Sequence, residues 1–345
     1  MKAAIFLGPG KMEVKNISDP KPKKGEVLLN IKACAVCGTD VRIFYHGQKN
    51  VVPPRITGHE IAGIVEDVGE EVKNVKAGTP VTTVTSVGCG DCKYCSKGNV
   101  NLCPETRAIG YFWDGGFAEK MIIPAEAISQ NSLIKLSKGM DFDVASLIEP
   151  FSCCINGQDY LNIQEGDSVV VFGSGPIGCM HIALAKAQGV DSVYLIDVSD
   201  ERLSMSKPFG VDICINSTRE DPVKRILELT QGQGADCIIT ACPAGIAQEQ
   251  ALQMASKKGR ISFFGGLPKD NPYIKFDSNL IHYREISVFG AFASHREQFV
   301  RALEFIKSGK IKANDFITHR FSLEDITKAI ETVKTGKSLK AVIVM

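Results

Sequence analysis

Apolar residues along this 345-residue chain follow two rhythms. Up to about residue 150 they come in short runs broken by Gly and Pro, at residues 3–7, 26–33, 61–68 and 80–85. Short β-type runs with turn residues between them predict a compact, barrel-like β domain. From Gly166 the pattern changes. Ser168–Phe172 is a continuous apolar strand, followed by a Gly-rich turn and a helix through residues 182–188. Strands are predicted next at 192–196, 213–216, 237–240 and 259–264, with helices at 201–207, 223–229 and 247–254 between them. This alternation predicts a doubly wound parallel sheet, an α/β fold. The tail adds helices at 295–307 and 323–335 and a last strand at Lys340–Val344. There is no internal repeat, low-complexity stretch or long linker.

Bulk properties narrow the class. With 40 basic and 39 acidic residues the formal net charge is +1, which gives no support for binding a polyanion such as nucleic acid. No run reaches the ~18 apolar residues needed to span a bilayer. The opening Met1-Lys-Ala-Ala-Ile-Phe-Leu-Gly-Pro has an apolar run too short for a signal peptide and reads as a strand. Twelve cysteines show no disulfide-framework spacing outside one cluster, and Cys153 and Cys154 are adjacent. A soluble, reducing, cytoplasmic setting is expected, with a small-molecule substrate, no nucleic acid and no membrane.

Val169-Val-Val-Phe-Gly173-Ser-Gly175-Pro-Ile-Gly178 runs a strand into G-x-G-x-x-G and then a helix. Gly173 permits the tight turn and Gly175 lets the backbone approach a diphosphate. Gly178 lets helix and strand pack closely, with the diphosphate at the helix N-terminus. Asp197 ends the next strand, 19 residues past Gly178. A carboxylate there holds both ribose hydroxyls of NAD and repels the 2′-phosphate of NADP. The alternatives are a plain glycine turn and a turn-capping Asp197.

Cys89, Cys92, Cys95 and Cys103 lie in and just after Gly88-Cys-Gly-Asp-Cys-Lys-Tyr-Cys. Four thiolates this close can surround one tetrahedral zinc and leave no open position, so such a site is structural. A disulfide pair is the alternative. Beside a nucleotide-binding loop, this spacing resembles the structural-zinc lobe of the zinc-dependent medium-chain alcohol and polyol dehydrogenases. The resemblance covers essentially the whole chain. It implies a GroES-like catalytic domain at residues 1–149, an NAD-binding Rossmann domain at 150–289, and a return segment at 290–345 that completes the catalytic domain. It also assigns Pro176, Ile177 and Gly265 to the cofactor site and lays Arg202 along the adenine.

A second cluster precedes the lobe. Cys37-Gly-Thr-Asp40 is followed by Gly58-His59-Glu60-Ile-Ala-Gly63, then Gly69 and Val72. This looks like the signature of the same family. It implies a catalytic zinc held by Cys37 and His59, with Glu60 or Glu149 as third ligand and an open position for substrate oxygen. Glu149 opens Glu-Pro-Phe-Ser, which resembles the polyol dehydrogenase branch, and a carboxylate ligand makes the site more labile. Asp40 is expected to accept the second ring N–H of His59, or to cap a helix. Thr39 is expected to hydrogen-bond the substrate alkoxide and begin a proton relay, or to be a plain turn residue.

Two departures bear on substrate. Where polyol and threonine dehydrogenases often carry a relay histidine, this chain has Arg42, which cannot shuttle protons at neutral pH. Arg42 is either an anchor for a carboxylate or phosphate or half of a salt bridge. In place of the Arg-Tyr pair of the sorbitol dehydrogenase branch stands Phe289-Gly-Ala-Phe292. Phe44, Tyr45 and Trp113 are candidate pocket aromatics, with plain core packing as the alternative. The expected reaction is NAD-linked oxidation of a secondary alcohol, a polyol or sugar derivative, with two zinc ions per chain. A threonine-type amino-alcohol dehydrogenase is the runner-up. A zinc-free reductase and a silent binding protein on the same fold are the alternatives of other classes. The apolar run 286–292 ends the nucleotide sheet and predicts a homo-oligomer, a tetramer or dimer.

Overall fold

Strand Val27–Val36 is buried at every position except Asn30 and Lys32. A strand this apolar needs cover on both faces and partners on both edges. It pairs antiparallel with Glu60–Val68, Lys120–Ile123 and Lys340–Val344. The sheet runs from Leu133–Lys135 through Pro80–Thr83, Glu60–Val68, Val27–Val36 and Lys340–Val344 to Ile317–Phe321. Ala341 lies opposite Val36 and Ile343 opposite Cys34, so the last residues complete the sheet begun by residues 27–36. Leu29, Ile31, Ile61, Val81, Phe117 and Ala341 share its core.

The computed structural model describes all 345 residues, which fall into two units: Met1–Ser152 with Ala293–Met345, and Cys153–Phe292. The second unit is built on six parallel strands. Their order is Ile213–Asn216, Ser192–Asp197, Ser168–Phe172, Ala235–Thr240, Ala255–Phe263 and Ser287–Gly290. The order reverses between Ser168–Phe172 and Ala235–Thr240. A crevice beyond the carboxyl ends of two such strands is where α/β sheets bind ligands. Val170, Ile196, Ile238 and Ile261 fill the core behind it.

Several elements differ from the sequence reading. A 12-residue helix, Ile148–Asp159, stands where none was expected. Its Pro150 sits in the first turn, where a missing N–H costs nothing, so the Glu-Pro pair opens a helix instead of breaking one. The helix expected at 201–207 stops at Met205 and tightens into a 3-10 turn, Lys207–Phe209, around Pro208. Ser278–Arg284 is a further helix before the edge strand. No helix is long and apolar enough to cross a membrane.

Candidate metal and nucleotide sites

Cys37 is the extended N-cap of helix Gly38–His46, which aims its thiol off the end of strand Val27–Val36. Its amide donates to Asp40 Oδ2 at 2.9 Å. The other oxygen, Asp40 Oδ1, is buried without a hydrogen bond and lies 3.7 Å from His59 Nδ1. Asp40 therefore caps the helix with Oδ2 and turns Oδ1 toward the imidazole at a distance beyond a hydrogen bond. Gly58 turns the chain with φ +91°, and a Cβ there would meet Cys34 Sγ and the Phe117 ring at 2.9 Å. His59 follows directly. Glu60 begins the strand Glu60–Val68, opposite Ala35. The ligand atoms of Cys37, His59 and Glu60 all lie within 4.8 Å of one another.

Glu60 is ion-paired through Oε2 with Lys340 Nζ, and both side chains are buried. Lys340 also donates to Val36 O at 3.2 Å. Burial lowers the Lys340 pKa, but the Glu60 carboxylate and Cys37 sulfur outweigh it and the amine stays charged. Glu60 Oε1 is buried with no hydrogen-bond partner. An orphaned carboxylate oxygen beside a thiol and an imidazole is a donor set suited to a divalent metal, zinc first. Glu149 lies outside the 4.8 Å cluster but is nearly buried, and its charge acts on Lys340.

Tyr111, which sequence reasoning missed, faces this cluster. Its oxygen is 3.4 Å from His59 Nδ1 and 3.5 Å from Nε2, with ring centroids 5.3 Å apart. Burial pushes its phenol pKa up, so the hydroxyl is kept protonated. Burial works against charge on His59, but the Tyr111 and Asp40 oxygens outweigh it and raise its pKa. Thr39 is half-buried in the first turn of the Cys37-capped helix.

The expected substrate aromatics fare unevenly. Phe44 is 5% exposed and belongs to the barrel core, so its ring is spent on packing and does not line a pocket. Trp113 packs against the same core and edges onto Phe112. Tyr45 is covered by Lys334, whose Nζ is 3.6 Å from the ring centroid. Arg42 is exposed and donates to Gln48 Oε1 at 2.7 Å. Its partner is a neutral amide, so the salt-bridge alternative does not hold.

Cys89, Cys92, Cys95 and Cys103 also bring their sulfurs within 4.8 Å of one another. Gly88 permits this, because a Cβ there would sit 2.4 Å from Cys95 Sγ. Gln130 pins Gly88 by its amide and its carbonyl, at 3.1 and 2.9 Å. The backbone N–H of Cys95 draws the Cys92 thiol down to about 7. Cys92 is thereby biased to the thiolate that a metal takes, while Asp91 pushes the Cys89 thiol up to about 12 and burial pushes that of Cys95 up.

In the second unit Gly173 has φ +96°, and a Cβ on Gly178 would lie 1.7 Å from Gly173 O. Gly175 is the N-cap of helix Pro176–Ala187, with nothing within 4 Å of a built Cβ and Pro176 and Ile177 in the first turn. That leaves helix N–H groups open to an anion. Asp197 is gripped by its neighbours: Ser174 N and Oγ donate to Oδ2 at 2.7 and 2.8 Å, and Ser199 N to Oδ1 at 3.0 Å. Gly265 follows the fifth strand, where a Cβ would meet Cys242 O at 2.5 Å. Arg202 is half-buried on helix Asp200–Met205.

Comparison with known proteins agrees with this layout. Residues 23–133 match the alcohol dehydrogenase GroES-like domain, and residues 176–308 match the zinc-binding dehydrogenase family. An L-threonine 3-dehydrogenase of Pyrococcus horikoshii is 33% identical over 100% of this chain and 99% of its own. A sorbitol dehydrogenase of Halalkalibacterium halodurans is 32% identical over 99% of both. A short chain alcohol dehydrogenase of Escherichia coli CFT073, solved with NADH, superposes with TM-score 0.91 at 28% identity over 100% of this chain and 99% of that one. A zinc-binding dehydrogenase structure from Sinorhizobium meliloti 1021, bound to NADP, gives TM-score 0.92 at 28% identity and the same coverage. The chain belongs to the zinc-dependent medium-chain alcohol dehydrogenases, a family of oxidoreductases that work with zinc and a nicotinamide cofactor.

Proposed function

We propose that this chain catalyses the reversible oxidation of a secondary alcohol by NAD, the alcohol being a polyol or sugar derivative, sugar acids and sugar phosphates included. The observation that carries the reading is the convergence of Cys37, His59 and Glu60 within 4.8 Å, with Glu60 Oε1 left without a partner. In the proposal these residues hold the catalytic metal, with Glu149 as the alternative carboxylate, and Cys89, Cys92, Cys95 and Cys103 hold a second, structural one.

When bound, zinc acts as a Lewis acid that lowers the pKa of an alcohol, and NAD accepts the hydride. The chain's own residues do the rest. Asp40 Oδ1 fixes the ring of His59. Lys340 restrains Glu60 by one oxygen and leaves the other free. Thr39 holds the substrate hydroxyl and takes part in removing its proton. Gly173, Gly175 and Gly178 let the backbone cradle the diphosphate, with Pro176 and Ile177 beside it and Gly265 across the crevice. Asp197 accepts the ribose hydroxyls and disfavours a 2′-phosphate, and Arg202 lies along the adenine. Arg42, whose partner is neutral, is free to pair with an anionic substrate group.

A second reading is an L-threonine-type amino alcohol as substrate. It is supported by the match to the Pyrococcus horikoshii protein, 33% identical against 32% for the sorbitol dehydrogenase. Two further proposals follow from the chain itself. The exposed edge strand Ser287–Gly290 pairs with its copy in a homo-oligomer, and twelve cysteines with no disulfide among them fit a reducing, cytoplasmic setting.

The test is metal analysis joined to an NAD-coupled screen of polyols, aldonates, sugar phosphates and L-threonine. The expected result is about two zinc ions per chain and NADH formation with at least one polyol or polyol derivative. Turnover of L-threonine alone moves the assignment to the second reading. Absence of NADH formation with every class overturns both.

A further inference from the structure

The segment after the cysteine lobe, Gly110-Tyr-Phe-Trp-Asp-Gly115, is built to press one side chain onto the metal cluster. Gly110 has φ +85°, and a Cβ on it would lie 2.7 Å from Gly58 O and 3.4 Å from His59 Cβ. A Cβ on Gly115 would lie 2.1 Å from the same Gly58 oxygen. Only glycine at both ends lets the turn sit this close to Gly58 and His59. The turn is closed by Gly110 N donating to Trp113 O at 2.9 Å, and Tyr111 N donates to Ala108 O at 3.2 Å. Asp114 Oδ1 anchors the far side, accepting from Ile56 N at 3.1 Å and Arg55 Nη1 at 3.0 Å. Of the three aromatics in the turn, Phe112 is exposed and stacks under Arg107, Trp113 packs on the core, and Tyr111 alone faces His59.

The hydroxyl held there has no committed partner. Its contacts with the two His59 nitrogens, 3.4 and 3.5 Å, are nearly equal and at the long limit of a hydrogen bond. In the proposed metal-loaded site one His59 nitrogen would bind the metal, and Nδ1 faces Asp40 Oδ1 at 3.7 Å, so His59 would not be the phenol's dedicated partner. A phenol can both donate and accept, so an oriented Tyr111 hydroxyl is left for something else in the site. A carbon chain whose reacting oxygen sat at the Cys37–His59–Glu60 cluster would carry the substituent on its next carbon into the surroundings of His59, which Tyr111 faces.

We propose that Tyr111 is a substrate-contacting, specificity-determining residue whose hydroxyl recognises a hydroxyl or amino group on the carbon next to the reacting one. The site then prefers a vicinal diol or amino alcohol to a simple secondary alcohol. This rests on the secondary-alcohol reading above and deepens it.

The test compares wild type with Tyr111→Phe, which keeps the ring and removes only the hydroxyl, and with Phe112→Leu as a control on the same turn. Three alcohols are assayed: 1,2-propanediol, L-threonine and 2-propanol. Zinc content is measured for each protein, and the zinc-loaded, NADH-saturated proteins are titrated calorimetrically with the same compounds. The expected result is a KM rise of roughly tenfold or more for the diol or for threonine, with 2-propanol, kcat and zinc content unmoved. The calorimetric affinity should fall in parallel, and Phe112→Leu should behave as wild type. An equal loss on all three alcohols, accompanied by lost zinc, makes Tyr111 a support for His59 and overturns the proposal. So does an unchanged ratio. If wild type oxidises none of the three, the secondary-alcohol reading is in question separately. The titration then decides on Tyr111, and equal affinities in both proteins overturn its role.

Discussion

Residues that no motif contains hold much of this site. Lys340 is one: it neutralises Glu60 in a buried pair. Removing one member of such a pair strands the other as an uncompensated buried charge. Lys340→Met is expected to destabilise the first unit by about 3–5 kcal/mol, read as a lowered denaturant midpoint. An unchanged midpoint would show that Glu60 takes up a proton or another partner at little cost. His181, on helix Pro176–Ala187 of the second unit, lies outside that site, and its effect is on stability. It is fully buried, accepts from Gln158 Nε2 at 3.2 Å, and burial holds its pKa down to about 3. Between the ordinary value near 6.5 and about 3, the unfolded chain binds a proton that the folded chain refuses. Stability from this group is therefore complete above pH 6.5 and drains as pH falls. The slope is on the order of 1 kcal/mol per pH unit. His181→Leu should flatten the stability profile between about pH 6.5 and 5, before ordinary carboxylates begin to titrate. An identical slope in the variant would remove His181 as the cause.

At the scale of elements, what could be read from sequence was what local geometry dictates. The turn at Gly173–Gly178 and the strand that enters it are local, since Gly173 takes a positive φ in the turn and Gly178 closes on Gly173 O five residues back. The strands Ser168–Phe172, Ile213–Asn216 and Lys340–Val344 were legible for the same reason, as apolar runs between turn residues. Tyr111 and Lys340 were not, because their partners lie 52 and 280 positions away and only tertiary pairing joins them. A signal did exist for each. A lysine opening an otherwise apolar buried strand demands a counter-charge, and an aromatic turn bracketed by glycines marks a close approach. Phe44 shows the opposite case: of its two readings, pocket aromatic or core, helix Gly38–His46 turns it into the core. The two cysteine-bearing elements also differ in what they can withstand. Four clustered thiolates bind zinc more tenaciously than a site with a carboxylate ligand. Mild chelation is expected to remove about one zinc per chain together with activity, and to leave the lobe folded. Loss of both metals in step, or full activity after chelation, would contradict that division of labour.

For the whole molecule the open question is assembly, and the sheet of the second unit poses it. Four of its strands are flanked on both sides; Ile213–Asn216 and Ser287–Gly290 are its two edges, and Ser287–Gly290 is paired only to Ala255–Phe263. Val288 is 36% exposed and Phe292, just beyond, is 65% exposed. Proteins that stay monomeric usually guard such an edge with lysine, proline or a bulge. Residues 286–292, Ile-Ser-Val-Phe-Gly-Ala-Phe, contain none of the first two. A second copy related by a two-fold axis would meet the same edge with the same residues, which makes the contact self-complementary and closed. A homodimer through this edge is therefore the minimal assembly expected, with a tetramer needing a further surface. Light scattering at micromolar concentration should give at least twice the 37.4 kDa chain mass. Val288→Lys places a solvated cation on the edge strand without touching the core behind it. It should shift the mass toward monomer while leaving NADH binding by the crevice intact. A wild type that is monomeric at that concentration ends the idea. An oligomer indifferent to Val288→Lys moves the interface away from this edge.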